Sequence, residues 1–143
     1  MDLQNESWIL DRGAYFASEM DIEIGSYTNS AVSAMFSGEK WFQTTVKGTG
    51  KVIITTSGPI QVLELNNEKL VVDGSFAVAR TPGVSLKVTR ASKGIFSSMI
   101  SGEGLLNTFS GTGKVLIAPV SNYINSLVYL LNNISRQING IRK

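Results

Sequence analysis

At 143 residues the chain is long enough for one domain, or for two small units that share a core. Its 43% hydrophobic and 17% charged residues exclude a disordered protein, and it contains neither cysteine nor histidine. Those two absences exclude disulfides, thiolate nucleophiles, sulfur-ligated metals and histidine-dependent triads, so the sequence predicts a protein that is not an enzyme and holds no cofactor.

Charge is unevenly distributed along the chain, whose formal net charge is +2. Residues 1–39 contain seven acidic side chains against one arginine, which gives −6. Residues 40–143 contain twelve basic side chains against four acidic ones, which gives +8. Two interpretations are open: scattered solvated side chains, or an acidic and a basic face that attract each other between subunits.

The sequence predicts no signal peptide and no transmembrane segment. Residues 1–10 contain two acidic side chains and no basic one, the reverse of a secretory leader. Unbroken apolar runs such as residues 127–131 are far shorter than the roughly 20 residues that cross a bilayer. We therefore expect an intracellular protein, soluble or peripherally attached to a membrane surface.

Short strands are predicted along most of the chain, because β-branched and alternating apolar residues recur between turn signals. The predicted strands are residues 8–16, 21–24, 53–54, 60–65, 70–72, 75–79 and 84–90. Predicted turns follow them at Asn66-Asn67, Asp73-Gly74 and Pro82-Gly83, the first two closing hairpins. Many short strands with 14 glycines favour a β-sandwich or a barrel.

Two segments of the chain are similar to each other. Residues 35–54 read MFSGEKWFQTTVKGTGKVII, and residues 99–117 read MISGEGLLNTFSGTGKVLI. Matches at so many ordered positions indicate a duplicated unit of about 64 residues. The predicted fold is mainly β: two related β-sandwich units, about residues 8–72 and 73–120, in one duplicated domain over residues 1–120.

The last segment, residues 121–143, changes period. Its apolar residues are spaced three or four apart, which predicts an amphipathic C-terminal helix. The predicted interaction face consists of Ile124, Leu127, Val128, Leu131, Ile134 and Ile138. This face packs on the domain's own core or, alternatively, docks on a neighbouring subunit, a protein partner or a lipid surface.

The repeated Gly-Thr-Gly-Lys motifs end at Lys51 and Lys114. A phosphate-binding loop needs an earlier glycine and a hydroxyl residue after the lysine, and both are missing here. We therefore interpret the motifs as tight turns before strands, with solvated lysines. The two lysines are candidates for a basic surface, although the spread of lysines along the chain makes nucleic acid an unfavoured partner.

Repeated carboxylates and repeated apolar pairs complete the candidate residues. Glu39 and Glu103 each follow Ser-Gly, and they are interpreted as structural carboxylates at turns rather than as a catalytic pair or a calcium site. Trp41-Phe42 and Leu105-Leu106 occupy matching positions. They are predicted to form core or subunit contacts rather than a ligand platform.

An ordered set of segments carries a family resemblance. It comprises WILDRGAYFA at residues 8–17, FSGE at 36–39, GTGKV at 48–52 and 111–115, residues 60–65, LVVD at 70–73, VA at 78–79 and SGEGL at 101–105. Over about residues 8–118 the chain resembles the mitochondrial-biogenesis family called altered inheritance of mitochondria, whose function has long been unknown. No single motif is specific to that family, but the ordered set is.

The resemblance implies a fold similar to that of the tryptophan RNA-binding attenuation protein, in which β-sandwich units assemble edge to edge into rings. It implies no catalytic residues, and it associates the mitochondrial relatives with inner-membrane organisation. It also implies that a first β unit of longer members is missing before residue 8, which leaves two units of three. Residues matching the tryptophan and RNA sites of the attenuation protein are not found.

The first functional hypothesis is a non-enzymatic, self-assembling scaffold or structural protein that forms a homo-oligomer and organises a membrane-associated or other large assembly. Its edge strands would be paired with those of a neighbour. The alternative is a ring-forming module that binds a small ligand or nucleic acid. A third, weaker hypothesis is a hydrolase that uses Glu39 and Glu103.

Overall fold

The structure is a computed structural model that describes residues 1–29, 41–90 and 105–120, together with Leu131 and Ile134. The described residues are mainly β, which confirms this part of the predicted fold class, and they form one antiparallel sheet. The strands are β1 (Asp2–Leu10), β2 (Tyr15–Ser18), β3 (Ile22–Thr28), β4 (Phe42–Ile54), β5 (Gln61–Asp73), β6 (Ala77–Arg80), β7 (Val84–Arg90) and β8 (Leu105–Ile117). A short 3₁₀ helix, Gly74–Phe76, joins β5 to β6.

All eight strands belong to one sheet with the order β2-β4-β1-β6-β8-β5, in which β3 also pairs with β4 and β7 with β8. Every pairing is antiparallel. One edge of β4 pairs with β1, and the other pairs first with β3 and then with β2. The ends of the sheet order are therefore β2 and β5.

The strand pairings follow the same pattern twice. In the first half (β1–β4, residues 2–54), Ile22 pairs with Gly48 and Ser18 with Val52. In the second half (β5–β8, residues 61–117), Val84 pairs with Gly111 and Arg80 with Val115. Each residue of β1–β3 thus corresponds to one 62 positions later, and each residue of β4 to one 63 positions later.

Two clusters of buried apolar side chains form the core. The first contains residues of the first half together with three from the second and Ala118, which follows β8: Leu3, Trp8, Leu10, Ala14, Ile22, Val46 and Val52, with Val78, Ala79, Leu116 and Ala118. The second consists of Leu65, Val84, Leu86, Phe109, Val115 and Ile117. Burying one such side chain contributes roughly 1.5–3 kcal/mol. The second half therefore completes the core of the first half.

The Gly-Thr-Gly-Lys motifs are not turns, contrary to the prediction. They lie inside the long strands β4 and β8, where Gly48 and Gly50 have φ of 137° and 147°. Gly111 and Gly113 have φ of 128° and 149°. These glycines lie where β4 passes from β3 to β2, and where β8 passes from β7 to β6.

Two other predicted turns are also wrong. The Asn66-Asn67 pair lies within β5, where Asn67 takes a φ of 55° at an irregularity in the pairing with β8. Asn5 has the same φ in β1, where the pairing with β4 shifts between Leu3 and Glu6. Asparagine tolerates this left-handed conformation better than most residues do. The asparagines that were interpreted as a turn therefore accommodate an irregularity inside a strand. At Asp73-Gly74 no hairpin forms: Asp73 caps the 3₁₀ helix, and β6 pairs with β1 and β8 rather than with β5.

The predicted C-terminal helix lies outside the described residues apart from Leu131 and Ile134, both of which are more than half exposed. Within the part of the chain that the structure describes, no helix is long and apolar enough to cross a membrane.

Candidate interaction surface

The backbone at Lys51 and Lys114 is held by the turn that precedes the neighbouring strand. The Lys51 N–H donates to Glu19 Oε2 at 2.8 Å, and its carbonyl accepts from the Glu19 N–H at 3.0 Å. The Lys114 N–H donates to Thr81 Oγ1 at 2.9 Å, and its carbonyl accepts from the Thr81 N–H at 2.9 Å. The repeated motif therefore anchors two turns.

Each of these lysines lies opposite an acidic residue in the strand register. Lys114 Nζ lies 4.0 Å from Glu64 Oε1, and Lys51 is the register partner of Asp2. Two strands, β1 and β6, separate β4, which contains Lys51, from β8, which contains Lys114, in the sheet order. The structure does not bring the predicted basic pair together.

The two halves meet where β1 pairs with β6, and we call residues 9–11 and 78–80 the inter-half junction. Leu10 pairs with Ala79 and Ile9 with Arg80, and the Asp11 N–H donates to the Val78 carbonyl at 2.8 Å. With the exception of the partly buried Asp11, these residues are buried. The junction thus continues the sheet and closes the first core.

A buried arginine crosses this junction. Arg80 is almost fully buried, its Nε donates to the Val84 carbonyl at 3.1 Å, and its guanidinium lies 5.4 Å from the centre of the Tyr27 ring. Burial lowers the pKa of Arg80, and Tyr27 and Asp11 oppose that shift. Since Tyr27 belongs to the first half, Arg80 couples the halves through its charge.

Asp11, Gln43 and Arg80 form a polar cluster at the inter-half junction, and Asp11 is its acidic member. Its Oδ1 accepts a hydrogen bond from Gln43 Nε2 at 3.0 Å. Burial raises the pKa of Asp11, although the hydrogen bonds and the nearby Arg80 and Arg12 act in the opposite direction. A side-chain hydrogen bond between the halves joins Asn29 Nδ2 to the Leu86 carbonyl at 2.9 Å.

The polar cluster holds the halves together rather than forming a ligand cavity. Asp11, Gln43 and Arg80 line a cleft with Ile9, Leu86 and Phe109, and the cleft leaves no volume that a water molecule can occupy. Sequence reasoning did not identify Asp11, Gln43 or Arg80. The one available signal was an arginine at the end of a strand that otherwise consists of Ala, Val and Ala.

Large apolar side chains are exposed toward the two ends of the sheet order. Phe16 on β2 is 70% exposed, Ile53 at the end of β4 is 56% exposed, and Val71 on β5 is 50% exposed. The corresponding residues of the other half are Val78 at 5%, Leu116 at 4% and Ile9 at 5%. Positions that are buried where the two halves meet are therefore exposed at the ends of the sheet order, where no described residues of another half lie against them.

The other predicted site residues have mixed outcomes. Leu131 and Ile134 are described and exposed, whereas Glu39, Glu103, Ile124, Leu127, Val128 and Ile138 lie outside the described residues. Trp41 packs against the second core, which agrees with a core contact, while Phe42 is exposed. Among the residues that the structure places, no three His, Cys, Asp or Glu side chains form a group that could hold a metal ion.

The fold and the inter-half junction define an all-β protein built on one antiparallel sheet, and comparisons with known proteins assign its family. The sequence pattern of the family described as mitochondrial biogenesis AIM24 matches residues 1–120. The chain therefore belongs to this family, as the resemblance in its motifs predicted.

Two streptococcal proteins are similar to the chain. An uncharacterized protein of Streptococcus pyogenes serotype M6 is 25% identical over 118 residues, which are 82% of this chain and 47% of that protein. The crystal structure of protein SPYM3_0169 from Streptococcus pyogenes matches with a TM-score of 0.65 and 21% identity, over 96% of this chain and 58% of the other. The second match shows the fold alone, and the chain spans roughly half the length of these relatives.

Proposed function

We propose that the protein is a non-enzymatic, self-assembling structural protein that serves as a scaffold for a larger assembly. The observation that carries this proposal is the exposure of Phe16, Ile53 and Val71 toward the two ends of the sheet order. Isolated apolar residues on a surface are ordinary. Apolar residues beside a strand edge that is open among the described residues favour pairing with another chain.

The edge of β5 that has no partner among the described residues is long for an edge strand. β5 has 13 residues and pairs only with β8 among the described residues, whereas the corresponding β1 pairs with both β4 and β6. Long open edges in monomeric proteins are usually shortened, covered or protected by charge. β5 has Lys69, Glu68 and Glu64, but Val62 and Val71 remain exposed beside them.

The proposal also includes three expectations that arose from the sequence: a duplicated unit, a C-terminal helix and a location inside the cell. The equal strand pairings of the halves support a duplicated β-sandwich unit as their origin. A C-terminal helix at residues 121–143 would use its apolar face to dock on a subunit, a protein partner or a lipid surface. The scaffold would act inside the cell, in a soluble or membrane-associated assembly.

The native mass in solution tests this function directly. Size-exclusion chromatography with light scattering at low and high salt should give a defined multiple of the 15.4 kDa chain. The mass should fall at high salt, because screening weakens attraction between oppositely charged halves. A monomer at both salt concentrations, at high protein concentration, would contradict the proposal and favour a ligand-binding module.

A further inference from the structure

At each end of the sheet order, the inter-half junction has a counterpart that no described residue covers. On β5, Val71 and Val72 correspond to the buried Ile9 and Leu10 of β1. On β2, Phe16 and Ala17 correspond to the buried Val78 and Ala79 of β6. Val71 and Phe16 are exposed, and Val72 and Ala17 are half-buried. Each end therefore presents one side of a contact that the same chain already makes internally.

We propose that the edge of β5 that has no partner among the described residues pairs antiparallel with the corresponding edge of β2 in a second copy of this chain, repeating the inter-half junction between molecules. The inference rests on the proposed self-assembly and specifies its surface and register. Val72 of one copy lies opposite Ala17 of the next, as Leu10 lies opposite Ala79. Phe16 and Ile53 then cover the second core, as Val78 and Leu116 complete the first.

The sheet order makes this contact intermolecular. β2 and β5 lie at opposite ends of the order, with β4, β1, β6 and β8 between them. A contact between unlike edges is head-to-tail, whereas a two-fold dimer would pair β2 with β2 or β5 with β5. Head-to-tail pairing leaves a free β2 and a free β5 on every dimer, so assembly continues.

Charge favours the head-to-tail arrangement over the two-fold ones. Residues 1–54 contain seven acidic and four basic side chains, and residues 61–117 contain four acidic and six basic ones. The halves thus have formal charges of −3 and +2. Head-to-tail pairing places a negative half against a positive half, whereas both two-fold contacts place like charges together.

The backbone hydrogen-bond pattern of the inter-half junction provides a direct chemical test of the proposed pairing. Because the Asp11 N–H bonds to the Val78 carbonyl, the adjacent pair Leu10 and Ala79 is a pair without mutual backbone hydrogen bonds. Such pairs have close Cα atoms, about 4.5 Å apart, and suit a cross-strand disulfide. Val72 and Ala17 of two copies should form the same kind of pair. The chain contains no cysteine, so introduced thiols report only on their own positions.

The experiment mixes two single variants of the 143-residue chain, Ala17→Cys and Val72→Cys, under mild oxidation. The mixture should give a disulfide-linked dimer, while each variant alone should give at least tenfold less. The double variant should give a ladder of higher species on a non-reducing gel. Lys87→Cys, on the exposed side of β7, is the control for random collision and should give only background cross-linking when mixed with either variant.

The outcomes separate this inference from the proposed function. Cross-linking of Ala17→Cys with itself, or of Val72→Cys with itself, at the level of the mixture would establish a two-fold contact and overturn the head-to-tail pairing. A wild-type oligomer without cross-linking in the mixture would reject this surface and leave self-assembly standing. A wild-type monomer by light scattering would reject both.

Discussion

At the scale of single residues, the glycines of β4 and β8 allow the backbone of a neighbouring turn to approach the strand. A Cβ atom at Gly48 would lie 2.7 Å from the carbonyl oxygen of Asp21, and one at Gly50 would lie 2.9 Å from Glu19 Oε2. In the second half, Gly113 faces Thr81 Oγ1, the atom that accepts the Lys114 N–H bond. A side chain at these positions would displace the turn.

Replacing Gly113 with alanine should therefore destabilise the protein by about 2–4 kcal/mol. A φ of 149° costs a non-glycine residue about 1–3 kcal/mol, and the displaced Thr81 loses a hydrogen bond worth about 1 kcal/mol. Gly13→Ala is the matched control, because Gly13 has a φ of 79° but no atom within 4 Å of its Cβ position. Urea unfolding should give the smaller loss for Gly13→Ala, and equal losses would show that contact with Thr81 is unimportant.

Asp11 should make stability depend on pH in a direction opposite to that of an ordinary paired carboxylate. Because burial raises its folded-state pKa above 3.8, the folded protein binds the proton more tightly than the unfolded chain does. The stability that comes from the protonated group is fully present below pH 3.8 and is lost as pH rises through the folded-state pKa. Asp11→Asn removes this titration.

Urea midpoints of the wild type and Asp11→Asn, measured from pH 3.5 to pH 7, test this expectation. The stability of the wild type relative to the variant should fall as pH rises, since all other carboxylates titrate in both proteins. Parallel curves would contradict a raised pKa for Asp11. If the wild type instead gained stability relative to the variant as pH rises, the folded-state pKa of Asp11 would be lowered rather than raised.

At the scale of strands, β5 differs from β1 in having one edge without a described partner. Placing a lysine on that edge should interfere with pairing, because natural edge strands use lysine for this purpose. Val71→Lys should weaken self-association at least about tenfold, a loss of about 1.4 kcal/mol. Val62→Lys is the matched control on the same strand: Val62 is 58% exposed but lies outside the segment that corresponds to the junction.

The association constants can be measured by sedimentation or by dilution in light scattering. Val62→Lys should change them less than about threefold, a difference of about 0.65 kcal/mol. Equal weakening by both variants would point to a general loss of apolar surface rather than to a register-specific contact.

Strands with clear alternation were predictable, and strands interrupted by special residues were not. The pattern of Val84, Leu86 and Val88 gave β7 at its observed bounds, and the Pro82-Gly83 turn before it was also correct. β4 and β8 were missed as continuous strands, because two glycines in three residues are usual at a turn and unusual inside a strand. Only the neighbouring turn, which is distant in sequence, explains why the glycines are there.

At the scale of the whole molecule, the polar cluster at the inter-half junction could not be predicted from the sequence. Asp11, Gln43 and Arg80 are separated by more than 30 residues along the chain and meet only because β1 pairs with both β4 and β6. The similarity between residues 35–54 and 99–117 predicted two related halves. It did not predict which strands join them, since that depends on which edges are left open once each half has paired internally.

The inter-half junction inside one chain and the proposed contact between chains differ in their side chains. This difference sets the relative strength of the two contacts. The internal junction has Arg80, which stacks on Tyr27, but the position that corresponds to Arg80 on β2 is Ser18. The position that corresponds to Gln43 is Leu106. A contact between chains would therefore lack the buried arginine and depend on apolar packing and backbone pairing. We expect the halves to remain joined under conditions that separate the chains.

The internal junction also has a consequence for symmetry. If one rotation relates the first half of the chain to the second, head-to-tail pairing would apply nearly the same rotation again from one molecule to the next. A closed ring requires repeated rotations to add up to a full turn, and because each chain supplies two steps, the number of steps must be even. The angle between the two halves of one molecule thus decides whether the assembly closes as a ring with an even number of halves or grows as an open helical filament.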